Sequence, residues 1–253
     1  LTLLVFVHVP RTGGTTLQRV ISDRYPPDRI LSFDDPARAE EAIAALSPAA
    51  RDEVEAVVGH VHYGIHRHFD QPARYLTMLR NPATRIASHF RYARSNPRHY
   101  LHVEVVERGY DLVRYARGEL SDELRDGQVR MFSADASLEE AKRVLAEEFD
   151  VVGLTERFDE SLLLMQDALG WTTPYYAREN RGPTSGEPLT EEALSEIEAA
   201  NPLDLALYDF AEELLARRIE GKPDFADHVE RFRRRNRVLG PATRLRYARR
   251  RPA

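Results

Sequence analysis

The segment His8-Val9-Pro10-Arg11-Thr12-Gly13-Gly14-Thr15-Thr16-Leu17 combines a cation, two glycines and three threonines in a stretch short enough to surround one anion. Gly13 and Gly14 allow close backbone approach, the unpaired N–H groups of a helix starting there point toward negative charge, and Thr12, Thr15 and Thr16 add hydroxyl donors. Arg11 supplies formal charge. The chemistry is phosphate binding, although a tight strand-to-helix turn capped by threonine uses the same letters. A Walker loop needs Gly-x-x-x-x-Gly-Lys-[Ser/Thr], whereas here the cation precedes the glycines and no lysine follows them. Nor does an apolar strand end in an aspartate suited to magnesium: Tyr75–Leu79 ends in Arg80. Both observations weigh against an ATP or GTP hydrolase.

Arg80 and Ser88 form a second pair. A guanidinium leaving a strand end can fork onto phosphate, and a serine eight residues later lies two helical turns along with a shorter hydroxyl contact. A surface salt bridge for Arg80 and a small-residue helix contact for Ser88 are the structural alternatives. Histidines supply a third kind of chemistry, because a neutral imidazole is suited to take a proton near pH 7. His60 directly follows the predicted strand Ala56–Gly59; His62 is the runner-up, ahead of His8, His66 and His68. Strand alternation puts His60 and His62 on one face only if the chain stays extended, and Tyr63-Gly64 predicts that it turns.

Taken together these segments resemble the sulfotransferases that use 3′-phosphoadenosine 5′-phosphosulfate (PAPS). Pro10 to Leu17 is similar to their 5′-phosphosulfate loop, usually Pro-Lys-[Thr/Ser]-Gly-[Gly/Thr/Ser]-[Thr/Ser]-[Thr/Ser], and Leu79-Arg80-Asn81-Pro82 through Arg85 and Ser88 resembles their 3′-phosphate motif. Val58-Gly59-His60-Val61-His62-Tyr63-Gly64 resembles the carbohydrate branch typified by uronyl 2-O-sulfotransferases, in which a Gly-His after a strand provides the base. Weaker similarity continues in Val152-Gly153-Leu154-Thr155-Glu156, in Asn180-Arg181-Gly182 and in Asp204–Ala211, so that it spans most of residues 3 to 215. Arg11 stands where the family has lysine, which keeps the charge but replaces a point contact with a planar fork.

The resemblance implies an α/β phosphate-loop fold, a parallel sheet flanked by helices in three layers, in a soluble member of bacterial type. It implies PAPS as donor, held by Arg11, Thr12, Gly13, Gly14, Thr15, Thr16, Arg80, Ser88 and Arg181, with His60 and Arg11 as catalytic groups and no metal. The acceptor it implies is a hydroxyl of a glycan or glycosylated small molecule. Two other readings remain: a phosphate-loop kinase or NTPase, which would depend on magnesium, and a non-catalytic nucleotide- or polyanion-binding protein.

These residues need elements to position them. Thr2–Val7 reads as a central parallel strand, followed by a helix from about Thr15 to Tyr25. Arg29–Phe33, Ala56–Gly59, Tyr75–Leu79 and Val151–Leu154 read as further strands, and Asp35–Leu46, Ala83 to about Ser95 with Asn81 as N-cap, Leu138–Phe149 and Asp159–Leu169 ending at Gly170 as helices. Strands alternating with helices imply a parallel sheet wrapped by helices. Residues 97–136 read as a mostly helical insertion that could supply substrate contacts, with Gln128 and Arg130 facing either the acceptor or solvent. Thr172–Leu189 reads as a loop in which Trp171, just before it, is packing; Thr190–Ala200 and Leu203–Ile219 read as helices. Residues 1–220 form the expected catalytic domain and 221–253 a basic tail or helix.

Composition bounds the rest. A chain of 253 residues with 42% hydrophobic content can bury the core of one α/β domain. Without cysteine it has no thiolate nucleophile, disulfide or Cys-ligated metal. No apolar run approaches the roughly 20 residues of a spanning helix, and a cytoplasmic location is expected. The formal charge of −5 conceals ten arginines and no acid between Arg231 and Arg251, which leaves the remainder near −15. Such a run can bind polyanions or lie solvated; a uniformly basic nucleic-acid-binding domain is not indicated. Only two lysines, Lys142 and Lys222, accompany 34 arginines, so arginine in place of a family lysine follows the composition.

Overall fold

The computed structural model describes residues 2–177 and 189–250, with side chains described as far as Thr243. Strands β1 (Leu3–Val7), β2 (Ile30–Phe33), β3 (Ala56–Gly59), β4 (Ala73–Leu79) and β5 (Phe149–Leu154) form one sheet in the order β2-β3-β1-β4-β5, with every neighbouring pair parallel. Every residue of β1 and β3 is buried, as expected of central strands covered on both faces. The helices are α1 (Gly14–Ser22), α2 (Pro36–Ala44), α3 (Pro48–Asp52), α4 (Pro82–Ser95), α5 (His102–Val106), α6 (Leu112–Ala116), α7 (Leu138–Glu147), α8 (Phe158–Leu169), α9 (Glu191–Ala200), α10 (Pro202–Glu220) and α11 (Phe225–Arg250). None of the described helices is long and apolar enough to cross a membrane.

From β1 the chain first builds β2 and β3 on one side and then returns to build β4 and β5 on the other. That reversal opens a crevice beyond the carboxyl ends of β1 and β4. The register holds the strand ends level, with Val7 opposite both Gly59 and Thr77, and the Thr77 hydroxyl donates to the Val7 carbonyl at 2.9 Å.

Two strands begin earlier than their apolar patterns suggest. Arg74 in β4 and Asp150 in β5 interrupt the hydrophobic runs, but they pair with each other at 2.5 Å, and the Asp150 carboxylate also accepts from the Tyr75 N–H at 3.1 Å. The predicted helix Asp35–Leu46 stops at Ala44, and Ser47 caps the separate helix α3. Asn81 caps α4, its side chain accepting from the N–H groups of Ala83 and Thr84. Residues 97–136 do not rest on the sheet core alone. Leu101, Val105, Leu112, Tyr115 and Leu124 pack with Ile86 and Phe90 of α4 and Ile197 of α9 in a second apolar cluster. The basic segment starts as a docked helix, with Phe225, Val229 and Phe232 of α11 buried in the main core and Arg233 paired with Asp159 at 3.0 Å.

Candidate functional site

Beyond β1 the backbone turns through left-handed conformations at Arg11 (φ 69°) and Gly13 (φ 78°), and Gly13 is the N-cap of α1. A non-glycine residue there costs on the order of 1–3 kcal/mol, so the neighbours must hold it. Arg80 does so through Nη1, which donates to the Arg11 carbonyl at 3.0 Å. The Arg11 side chain meanwhile donates to Ser88 Oγ from Nε at 3.4 Å and Nη2 at 3.3 Å, and lies over the Tyr92 ring at 4.3 Å. The loop and the Arg80/Ser88 pair, more than sixty residues apart in sequence, thus meet directly. Burial is the first cause that lowers the pKa of both guanidiniums; Arg11 and Arg91 lower Arg80 further, against a raising contribution from Glu156. Holding such like charges together is unfavourable without an anion between them.

Gly14 is fixed by the ring behind it. A Cβ built on Gly14 would lie 1.9 Å from His8 Cδ2 and 2.1 Å from Nε2. His8 is buried between Phe6, 5.6 Å away, and His60, 4.7 Å away, both stacked on it. Its pKa falls to about 3, first through burial and then through the neighbouring His60 and Arg11. His60 follows Gly59 (φ 121°), where a Cβ would strike the Phe33 carbonyl at 2.0 Å. Its N–H donates to that same carbonyl at 2.8 Å, and its ring Nδ1 lies 2.8 Å from the His8 carbonyl oxygen. A carbonyl only accepts, so Nδ1 carries the proton and Nε2 keeps its lone pair.

One cavity of about 800 Å³ gathers Arg11, Gly13, Gly14, Thr15, Thr16, His60, His62, Arg80 and Ser88. Thr12 is the exception in the loop. It is fully buried, and its hydroxyl, expected as a ligand donor, instead donates to the Val9 carbonyl at 2.8 Å. Only its backbone remains for an anion. Gln128 likewise departs from the expectation that it faces acceptor or solvent: it is buried, accepts from the Arg80 N–H at 3.0 Å and donates to the Arg80 carbonyl at 2.9 Å. Arg130 does line the cavity. His66 and His68 do not; they bond to Tyr75 and Glu40. Arg181 lies outside the described residues.

Several contributors were not evident from sequence. Thr155, at the end of β5, places its hydroxyl 2.7 Å from the Thr12 carbonyl and 3.0 Å from that of Leu79, tying the loop to β4. Tyr92 follows Ser88 by four residues on α4, a helical spacing that could have flagged it. His89, His99, Tyr100 and Glu123 line the same cavity from α4 and the insertion, and no short motif marks them. Among the described residues, no group of three or more His, Asp or Glu side chains is placed to hold a metal ion.

The model of the galactose-3-O-sulfotransferase family matches residues 4–246. Among solved structures, mouse sulfotransferase SULT7A1 complexed with PAP is similar over 79% of this chain, at 16% identity and a TM-score of 0.36; the chain spans 63% of that protein's length. No curated protein matches the chain. The family match covers the loop after β1, the Arg80/Ser88 pair, the histidines and the insertion in one alignment, and by it the chain belongs to the galactose-3-O-sulfotransferase family.

Proposed function

We propose that this chain transfers the sulfuryl group of PAPS to a hydroxyl of a carbohydrate or glycosylated small molecule. The observation that carries this reading is the junction of Arg11, Arg80 and Ser88, two anion-binding segments in contact across one cavity with His60 on its wall. Two such segments suit a donor with phosphates at both the 3′ and 5′ positions. A kinase loop would need lysine after the second glycine, where Thr15 stands.

In this mechanism Arg80 and Ser88 hold the 3′-phosphate, while Arg11, Thr15, Thr16 and the N–H groups opening α1 hold the 5′-phosphosulfate. His60 Nε2 takes the proton of the acceptor hydroxyl as its oxygen bonds to sulfur; the bond from sulfur to the 5′-phosphate oxygen breaks, and 3′-phosphoadenosine 5′-phosphate (PAP) leaves with that electron pair. The Arg11 guanidinium and the loop N–H groups stabilise the charge growing on the leaving oxygen. The carbohydrate class rests on the family and on the Gly59-His60 segment; the latter's likeness to uronyl 2-O-sulfotransferases bears on the base rather than the acceptor ring.

Calorimetry tests the donor. PAP should bind at least tenfold better than ADP or 5′-AMP, and Arg80→Ala should remove the preference; equal affinity for all three would overturn the reading. Single-turnover transfer tests the base: His60→Ala should lose roughly 10²- to 10⁴-fold in rate with PAP affinity retained. If His62→Ala carried that loss instead, the base would be His62.

A further inference from the structure

The insertion brings to the cavity wall a set of side chains that sulfuryl transfer as described does not use. Glu123 is its centre. One carboxylate oxygen lies 2.9 Å from His89 Nε2, and the other accepts from the Tyr100 hydroxyl at 2.8 Å. Behind these, His89 Nδ1 meets the Tyr115 hydroxyl at 2.5 Å, and Tyr115 is fully buried. The carboxylate is therefore held at both oxygens, on one side by a ring tied to Tyr115 of the second apolar cluster. Its side chain is still 26% exposed, it lines the cavity, and each carboxylate oxygen has a further lone pair. Beside it, the rings of His99 and Tyr100 stack at 4.7 Å, and Tyr100 is 59% exposed. A rigid aromatic face next to a fixed acceptor atom suits a ligand with an apolar ring face and hydroxyl edges.

Charge narrows the ligand further. Burial alone would raise the Glu123 pKa, but the hydrogen bond and charge of His89, the nearby Arg85 and the Tyr100 hydroxyl hold it down at about 2. Glu123 thus stays ionised at neutral pH, with His89 as its partner and its carboxylate on the cavity wall. Arg11 and Arg80 are committed to the donor, and the remaining cation on the wall, Arg130, is itself exposed.

We propose that Glu123, braced by His89 and Tyr100, is the acceptor-orienting residue of this chain: it accepts a hydrogen bond from a hydroxyl adjacent to the reacting one and selects sugar rings without a carboxylate or sulfate at that edge. This rests on the sulfotransferase reading above. A ring bearing a uronate there meets charge repulsion and lacks the hydroxyl that would donate to the carboxylate, and both effects raise its dissociation constant.

Binding, which requires no turnover, tests the assignment. p-Nitrophenyl β-galactoside and the matching β-galacturonide are titrated by NMR into PAP-saturated protein. The galactoside should bind at least tenfold more tightly. Glu123→Gln should weaken galactoside binding by about 10- to 100-fold and narrow the ratio of the two dissociation constants, without weakening PAP binding, since it removes a negative charge that acts on Arg11. Tyr100→Phe, which removes one brace, should give an intermediate ratio. Equal affinities in the unaltered protein, no binding of either glycoside, or a ratio unmoved by Glu123→Gln would overturn the assignment. A purely structural Glu123 would lower thermal stability without moving that ratio. Failure of the unaltered protein to bind PAP would strike the sulfotransferase reading itself.

Discussion

Gly14→Ala sets two opposing effects against each other, and the distances decide between them. Gly14 is the first residue of α1 and has no left-handed φ, so alanine there would ordinarily stabilise by about 0.5–1 kcal/mol through helix propensity and reduced unfolded-state freedom. Against this, the new Cβ would stand 1.9, 2.1 and 2.6 Å from three atoms of the His8 ring. The ring cannot simply retreat, because Phe6 and His60 stack on it. Overpacking of this kind costs about 1–3 kcal/mol, so a net loss of roughly 1 kcal/mol is expected, lowering the melting temperature by about 2–4 °C for a chain of this size. Because His60 must move when His8 moves, transfer should fall by about 10²-fold, the usual consequence of displacing a reacting group by about 1 Å. The checks are thermal denaturation and single-turnover transfer, together with the cycle Gly14→Ala, His8→Ala and both. A coupling energy of at least about 1 kcal/mol is expected. An unchanged or raised melting temperature, or additivity within about 0.5 kcal/mol, would refute the reasoning.

Gln128→Leu should weaken PAP binding by tenfold or more although Gln128 is not expected to touch the nucleotide, since it strips both hydrogen bonds from the Arg80 peptide; unchanged calorimetric affinity would show that Arg80 is held by other means. Arg11→Lys should retain partial activity and Arg11→Ala should lose turnover more than donor affinity, because charge on the leaving phosphate grows in the transition state; normal turnover of the alanine variant would make Arg11 a bystander. Acid should destabilise the protein from pH 6.5 downward. His8 stays neutral in the fold to about pH 3, whereas in the unfolded chain it takes up a proton below 6.5. Stability is therefore complete above 6.5 and is lost as pH falls toward 3, by up to about 1.4 kcal/mol per pH unit for one group. His99, lowered to about 4 mainly by burial, contributes in the same direction, while Glu123 loses its contribution only between 4.5 and about 2. Denaturant titrations should show His8→Asn flattening the slope between pH 6.5 and 4.5; an identical slope would mean that His8 is not held neutral.

The sheet and the turn after its first strand were legible in sequence because their physics is local. Thr2–Val7 read as a strand buried on both faces, Gly13 and Gly14 as part of the turn after it, and Asn81-Pro82 as the start of a helix, and the structure has β1 over Leu3–Val7, α1 from Gly14 and α4 from Pro82. The Arg80-to-Ser88 spacing carried the second segment for the same reason, being a strand end and two helical turns. What stayed hidden depends on partners distant in the chain. Gln128 looked like a loop residue free to meet an acceptor until its two bonds to Arg80, 48 positions away, were formed. Glu123 and His89 become a pair only when the insertion folds against α4. Thr12 was misjudged differently: its type was right for a ligand donor, but one turn of backbone directs its hydroxyl to Val9. Arg74 and Asp150 concealed two strand starts because each, alone, reads as solvent-facing.

In the proposed mechanism the stacked histidines let a base sit beside a cationic loop. Two imidazoles 4.7 Å apart do not both hold a proton readily, and Arg11 adds further repulsion. Burial decides which yields. His8, enclosed behind the loop, is driven to about 3, and His60 faces the cavity, where the proposed mechanism has it take the acceptor's proton. The His8 carbonyl, accepting from Nδ1, then sees the growing imidazolium as a stronger donor, so the contact that fixes the tautomer also strengthens as the proton arrives. In the proposed complex the anionic donor completes the balance, its phosphates offsetting the Arg11 and Arg80 charges gathered at the loop. Nitrogen-15 NMR of the neutral His60 ring should show the proton on Nδ1, and a proton on Nε2 would mean that the His8 carbonyl does not fix the tautomer.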